Sequence, residues 1–404
     1  MELTRVWIEQ APACADRVRL CGQVAYDRQS IKPEVYWFDV SEKYAEYLSQ
    51  SVNPWLACLL PLAVTLGEPL RICAPVDRIL FENVHELMHI WKCWYPNLHV
   101  IPVEAETIEN NREEAPAKTA AFFSGGVDSF FTVLRHDNGS EFPRKSHVDE
   151  LLCVWGLDVP LNNAEAFKRL KEVLSRAASD LGKVLVDVAT NIRETEWRRT
   201  DWAHLSYNCA LTSVALTLEP RYRQVLIASS NDYRELSPWG SHVLTDPLLS
   251  TKSLRIVHDG PAYSRLSKTE YVAKSEVALR SLRVCWRLGN DENCRACEKC
   301  YRTMLTLELL GALDRCITFQ GATVDPKVVR SIYIPSDEQN TYRDLHALAL
   351  RIGKRDVAKA IDRGLRNSAR LRRWLDVVRS LRTKRFVWRW AQPLEYALLA
   401  RYVT

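Results

Sequence analysis

Between residues 119 and 229 the chain alternates short apolar strands with helical segments, a pattern that a parallel sheet covered by helices accommodates and most other folds do not. Thr119–Phe123 reads as a strand and Asp128–Arg135 opens a helix. Leu151–Leu157 is the next strand and Ala164–Leu181 the next helix. Val184–Val188 follows as a strand, Trp202–Leu218 as a helix and Val225–Ser229 as a strand. The expected fold class is therefore α/β, built on a parallel sheet.

A chain of 404 residues exceeds one typical domain. Ahead of the alternating region, Arg17–Tyr26, Glu34–Val40, Arg71–Pro75 and His99–Val103 are rich in β-branched and aromatic residues and read as strands. Ile79–Tyr95 lies between them as a helix, and the charged, aperiodic Glu104–Lys118 reads as a linker. The expected organisation is an N-terminal α+β domain over 1–115, a catalytic α/β domain over 117–315 and a helical domain over 320–404.

Apolar residues make up 47% and charged residues 26%, ordinary for a globular protein. No run of 18 apolar residues occurs and the N-terminus has no secretory pattern, so a cytoplasmic protein without membrane spans is expected. The net charge of +5 is uneven, because residues 321–404 hold 18 Lys/Arg against 8 Asp/Glu. A basic tail suits an acidic partner, nucleic acid included, or is a solvated helical face.

The sharpest local signal is Ser124-Gly125-Gly126-Val127-Asp128-Ser129, set between the first strand of the alternating region and its helix. Two glycines let the backbone come close to an anion, and a helix N-terminus presents N–H groups and partial positive charge. Ser124 and Ser129 would add hydroxyl donors. Asp128 either caps the helix or helps to hold Mg²⁺ on phosphates. No Gly-Lys-Ser/Thr follows, so this is not a nucleotidase P-loop.

This run resembles the signature of the PP-loop ATP pyrophosphatases, which include GMP synthetase, NAD synthetase and tRNA-thiolating enzymes. The resemblance implies an adenine nucleotide alpha hydrolase-like fold in which the loop grips the β,γ-pyrophosphate of ATP while a substrate oxygen attacks the α-phosphorus. It also implies a lysine late in the domain that reaches the phosphates, and Lys268 in Tyr263-Ser264-Arg265-Leu266-Ser267-Lys268 occupies such a place. His204 and Asn208, near the start of the Trp202–Leu218 helix, either touch nucleotide or substrate or simply pack.

Four of the twelve cysteines, Cys285, Cys294, Cys297 and Cys300, follow the spacing C-x8-C-x2-C-x2-C. Two-residue gaps let thiolates converge on one tetrahedral ion, and four sulfurs favour a closed structural Zn²⁺ site; an iron–sulfur cluster uses similar spacings. The other cysteines sit mostly in apolar surroundings and read as reduced, buried thiols. A PP-loop early and this cysteine knuckle late resemble the 7-cyano-7-deazaguanine synthases over roughly residues 119–312. Those enzymes activate the carboxylate of 7-carboxy-7-deazaguanine with ATP. The middle departs from their pattern: Trp155-Gly156-Leu157-Asp158-Val159-Pro160 and Ser237-Pro238-Trp239-Gly240-Ser241-His242 replace their substrate segments.

His85-Glu86-Leu87-Met88-His89 matches the His-Glu-x-x-His pattern of zinc proteases. Its neighbours Val84, Leu87, Met88, Ile90 and Trp91 equally describe an amphipathic helix packed on a sheet, and only Glu104, Glu106 and Glu109 follow closely as a third ligand.

The expected function is adenylation of a small carboxylate substrate with ATP, Mg²⁺ and structural Zn²⁺, releasing AMP and pyrophosphate. A nitrogen nucleophile, either ammonia or a protein amine, would then attack, in a setting that extends to antiviral defence. A tRNA-modifying PP-loop enzyme and a zinc protease are the alternatives. Arg370, Arg372, Arg373, Arg379, Arg382, Lys384 and Arg385 fall within sixteen residues. Helical spacing puts Arg366, Arg370 and Arg373 on one face as a docking strip for a protein acceptor, ahead of RNA. Leu371, Trp374 and Val378 fall on the face expected to pack.

Overall fold

The computed structural model describes residues 1–12, 16–109, 118–137, 142, 146–285, 287 and 291–382, with side chains described as far as Trp374. The chain forms two compact units, one of Met1–Asp232 with Leu236–Ala262 and one of Tyr233–Glu235 with Tyr263–Thr404.

Among the described residues twelve strands lie in the first unit: β1 (Glu2–Gln10), β2 (Arg17–Ala25), β3 (Glu34–Ser41), β4 (Leu70–Ile72), β5 (Val76–Asp77), β6 (Val103–Glu104), β7 (Thr107–Ile108), β8 (Lys118–Phe122), β9 (Glu150–Trp155), β10 (Val184–Thr190), β11 (Tyr222–Ala228) and β12 (Arg255–Asp259). Ten of them make one sheet in the order β12-β11-β8-β9-β10-β3-β2-β1-β4-β6, and β5 pairs with β7. From β12 to β10 the neighbours are all parallel. β10 then meets β3 antiparallel, and β3, β2 and β1 continue as an antiparallel meander. The difference follows from residue type. Thr119 to Phe122 of β8 are all buried, as suits a strand covered on both faces. β1 mixes Leu3, Val6, Trp7 and Ile8 with charged and polar residues, and only Leu3 of its nine residues is buried.

Among the described residues five α-helices complete this unit: α1 (Asn53–Leu66), α2 (Arg78–Trp94), α3 (Val127–Arg135), α4 (Ala164–Asp180) and α5 (Tyr207–Thr217). α1 is buried at every position except Thr65 and packs against α5. Pro54 starts it, and Gly67 ends it at φ +70°, a left-handed conformation that glycine adopts without strain. α2 is capped by the Asp77 carboxylate, which accepts from the Ile79 and Leu80 amides at 3.0 and 3.2 Å.

The expected boundary near residue 116 does not separate two bodies. β3 and β10 come from opposite sides of it and share a ladder, with Val40 opposite Val188. Arg17 ties Asp39 to Asp187 at 2.7 and 2.6 Å. The Trp197 indole donates to Cys58 O at 2.8 Å, and the Asn53 amide donates to Glu219 at 3.1 Å. One hydrophobic core runs from Leu3 and Phe38 through Trp55 and Trp91 to Leu152, Val186 and Val214. Part of the expected linker is strand, β6 and β7, and its stretch 110–117 lies outside the described residues.

The second unit is helical: α6 (Arg265–Val272), α7 (Glu276–Ser281), α8 (Glu298–Leu309), α9 (Pro326–Ser331), α10 (Gln339–Arg351) and α11 (Arg355–Arg382). Leu279, Leu305, Phe319, Tyr342, Leu345 and Ile361 are buried in it. The expected boundary at 315–320 is absent too, because α8 and the four cysteines belong to the same unit as α10 and α11. Trp374, expected on the packed face of α11, is 41% exposed. Arg372, one of the basic residues clustered over 370–385, turns inward to donate to Ile334 O. Val378, Arg379, Arg382, Lys384, Arg385 and Trp388 lie outside the described side chains. Among the described residues no helix is long and apolar enough to cross a membrane.

Candidate functional site

The five parallel strands run in the order β12-β11-β8-β9-β10, so the chain moves outward from β8 first in one direction and then in the other. The crevice beyond the carboxyl end of a sheet at such a reversal is where open α/β folds bind ligands. The loop Ser124–Gly126 leaves β8 at that point. Phe123 still pairs with β9, its amide donating to Leu152 O at 2.8 Å. Gly125 then takes φ +76°, and a side chain there would be strained. Gly126 is the N-cap of α3 and offers no side-chain cap to the helix. The first-turn amides of α3 thus end at a glycine and an exposed serine, Ser124, with the carboxylate of Asp128 in the same turn.

Ser124 and Ser129 have different roles. Ser124 is exposed and its Oγ lies 3.4 Å from the Gly126 amide. Ser129 is buried and its hydroxyl donates to Gly126 O at 3.0 Å, which stiffens the turn. Val127 is buried under the loop.

Behind the loop, Asp259 at the end of β12 fixes the far end of α3. It accepts from Thr132 at 2.9 Å, faces His136 at 2.9 Å and pairs with Arg135 at 3.2 Å. Burial alone would raise its pKa, but His136 and Arg135 outweigh burial and hold the carboxyl below its usual range. Neither Asp259 nor its partners form a local sequence pattern, so their role is visible only in the fold.

A second polar group surrounds Asp246, which is fully buried. It accepts from Asn208 at 3.1 Å and from Ser241 at 2.6 Å, and it meets His258 at 2.8 Å. Asn208 is therefore a packed structural residue. His204 stays half exposed and faces the Asp201 carboxylate at 3.1 Å. The helix expected over Trp202–Leu218 opens as a wide π turn, with the Ser206 amide donating to Asp201 O at 3.0 Å, before α5 begins. Gly240 packs on this turn: a Cβ there would lie 2.7 Å from Ala203 O. The Tyr207 hydroxyl bonds Ser241 and Ser230 and lies within reach of the Asp128 charge. Burial first, and the nearby charges of Asp246 and Asp128, push its pKa up.

Lys268 belongs to the second unit, on the first turn of α6, and is buried. Its helix is capped by Ser264, which accepts from the Ser267 amide at 3.1 Å.

The four cysteines do converge. The sulfurs of Cys285, Cys294, Cys297 and Cys300 lie within 4.8 Å of one another. Cys297 is the N-cap of α8 and its sulfur accepts from the Cys300 amide at 3.5 Å; Cys294 Sγ accepts from the Cys297 amide at 3.2 Å. Arg295 between them takes φ +58°. Asn293, which carries no sequence signal, holds the first ligand strand: its side chain accepts from the Val284 and Cys285 amides and donates to Leu282 O. Hydrogen bonding from Cys300 pulls the Cys297 thiol down to about 5. The Cys300 thiol is pushed up by the same contact and Cys294 by burial. One thiolate is easily held here, and further ones need a cation. The donor set fits a metal ion of the zinc type.

His85 and His89 do not form a comparable centre. The His85 ring bonds back to Phe81 O at 2.8 Å within its own helix, and His89 and Glu86 are exposed. Val84, Leu87, Met88 and Trp91 are buried, as the amphipathic reading requires. Among the described residues the four cysteines are the group of His, Cys, Asp or Glu able to share a metal. No protein-family model matches the chain, and no curated protein or solved structure is significantly similar to it.

Proposed function

We propose that the protein binds ATP at Ser124–Ser129 and cleaves it between the α- and β-phosphates while adenylating a carboxylate substrate of the 7-carboxy-7-deazaguanine type. The observation that carries this reading is the glycine loop at the carboxyl end of β8, beside the reversal in strand order between β8 and β11. An uncapped helix N-terminus with a left-handed glycine before it suits a multiply charged anion. In-line attack on phosphorus needs positioning and charge neutralisation more than covalent help. The amides following Gly125 and Gly126 would orient the pyrophosphate, and Asp128 would help to hold the Mg²⁺ that screens its charge. Asp259 keeps α3, and so the loop, in place. The four cysteines would hold structural Zn²⁺. A nitrogen nucleophile would complete the reaction, and the exposed Arg366, Arg370 and Arg373 support a large acidic acceptor.

The test is the nucleotide product. Incubation with ATP, Mg²⁺ and candidate carboxylates should yield AMP and pyrophosphate, and Asp128→Ala should lower the rate by about 100-fold or more with the fold intact. ADP as the product would refute the reading.

A further inference from the structure

Arg193 lies three residues beyond β10, in a half-buried position. Its guanidinium sits over the Trp202 ring at 4.4 Å and donates one hydrogen bond, to Leu157 O just beyond β9, at 2.9 Å. Other buried arginines of this unit face carboxylates: Arg17 meets Asp39 and Asp187, Arg135 meets Asp259, and Arg221 meets Glu150. Among the described residues no carboxylate pairs with Arg193. Burial lowers its pKa and the charge of Asp158, acting at a distance, opposes that. A guanidinium carries five N–H donors in a flat fork, so most of this one is uncommitted.

Its position is as informative as its lack of an ion-pair partner. β8, β9 and β10 are parallel, so their carboxyl ends share one edge of the sheet, the edge from which Ser124–Gly126 emerges. Trp202 contacts both Arg193 and Tyr207, its ring centroid 6.0 Å from that of Tyr207, and Tyr207 feels the Asp128 charge. Contacts through Trp202 and Tyr207 thus link the arginine to the surroundings of Asp128 on the glycine loop. Gly156 keeps the floor of this edge tight, since a Cβ there would lie 1.9 Å from Thr190 O.

We infer that Arg193, stacked on Trp202, is a recognition site for a second carboxylate on the substrate that is adenylated. This rests on reading the β8 loop as the nucleotide side of the same edge. An ion pair stabilises the charged form of a carboxylate, whereas adenylation removes that charge. The group at Arg193 is therefore one that stays ionised, separate from the group that reacts. The substrate that is adenylated then carries a second anionic group besides the carboxylate that reacts, so it is a relative of 7-carboxy-7-deazaguanine with one more acidic group. A bidentate pair of this kind is stronger and more directional than one lysine contact.

The experiment is a nucleotide-free titration of the full chain with benzoate, followed by NMR or calorimetry, with benzamide as the neutral control. Wild type should bind benzoate saturably and benzamide more weakly. Arg193→Gln should weaken benzoate about ten-fold or more, and Arg193→Lys, which keeps the charge without the fork, should also weaken it. Circular dichroism establishes that each variant is folded. Equal binding by wild type and the folded Arg193 variants, equal binding of benzoate and benzamide, or no saturable benzoate binding by wild type would each overturn the inference. Because no ATP is present, these outcomes are separate from the products of ATP turnover.

Discussion

The two compact units are held by different chemistry. The first has a ten-stranded sheet, one continuous apolar core and buried ion pairs that fasten strand to strand. The second gathers helices beside four sulfurs, of which Cys294 and Cys297 accept backbone amides, and whose thiolates would repel one another unless a cation joined them. The sheet unit draws its order from many contacts of similar size, so no single loss should dissolve it. The cysteine unit concentrates much of its order in one centre, so one atom matters greatly.

Three substitutions test that contrast. The largest effect should come from Cys297→Ser, since structural zinc contributes roughly 10–16 kcal/mol in small zinc modules. Metal analysis should find close to one zinc per chain in wild type and little in the variant, together with a fall in soluble yield. Hydrogen exchange should rise in Tyr263–Arg382 and much less in β8–β12. If protection is lost equally in both, the contrast fails.

A middling effect is expected for Glu150→Gln. Glu150 is buried, accepts from Arg221 at 2.7 Å and Tyr222 at 2.8 Å, and pairs with Lys118. Burial would raise its pKa, but those three partners outweigh it and hold the carboxyl at about 2. Its folded pKa lies below the unfolded value of about 4.3, so its stabilisation is present above that pH. It is lost as pH falls from about 4 through the folded value. The shift corresponds to about 3 kcal/mol, similar to breaking a buried pair. Denaturant melts at neutral pH should show a loss of that order, and wild type and variant should converge near pH 2. A constant gap down to acid would remove Glu150 from the pairing proposed for it. The smallest effect belongs to Glu86→Gln on α2, within about ±0.5 kcal/mol. A chelator-sensitive peptidase activity lost in that variant would revive the protease reading.

Much of this was legible in the sequence where the signal is local. Most strands and helices from Thr119 to Ser229 appear within a residue or two of their expected places, although α5 starts five residues late and β11 three residues early, and Val127–Arg135 follows its glycine loop as read. The cysteine spacing found its own convergence. α1 escaped, because Asn53–Leu66 is apolar on all sides and interrupted by Pro61, so it has no helical period to detect. The domain boundary at 116 misled because hydrogen bonding between β3 and β10 leaves no mark on either segment's composition. Trp374 misled for a related reason: a helical wheel shows which residues share a face, not whether that face has a neighbour. Asp259, Asn293 and Arg193 are ordinary residues in sequence and acquire meaning only from what the fold brings beside them.

The joint between β3 and β10 has a consequence for the order in which the protein is made. During synthesis the β1–β2–β3 meander emerges early, with the edge of β3 open, and the strand that closes it arrives about 150 residues later. At typical elongation rates of about 5–20 residues per second, that edge waits on the order of ten seconds or more. It carries Tyr36, Trp37 and Phe38 in a row, an invitation to the wrong neighbour. Slow translation between residues 41 and 190 should therefore lower the yield of native protein more than a similar delay after residue 262, when the sheet is already closed.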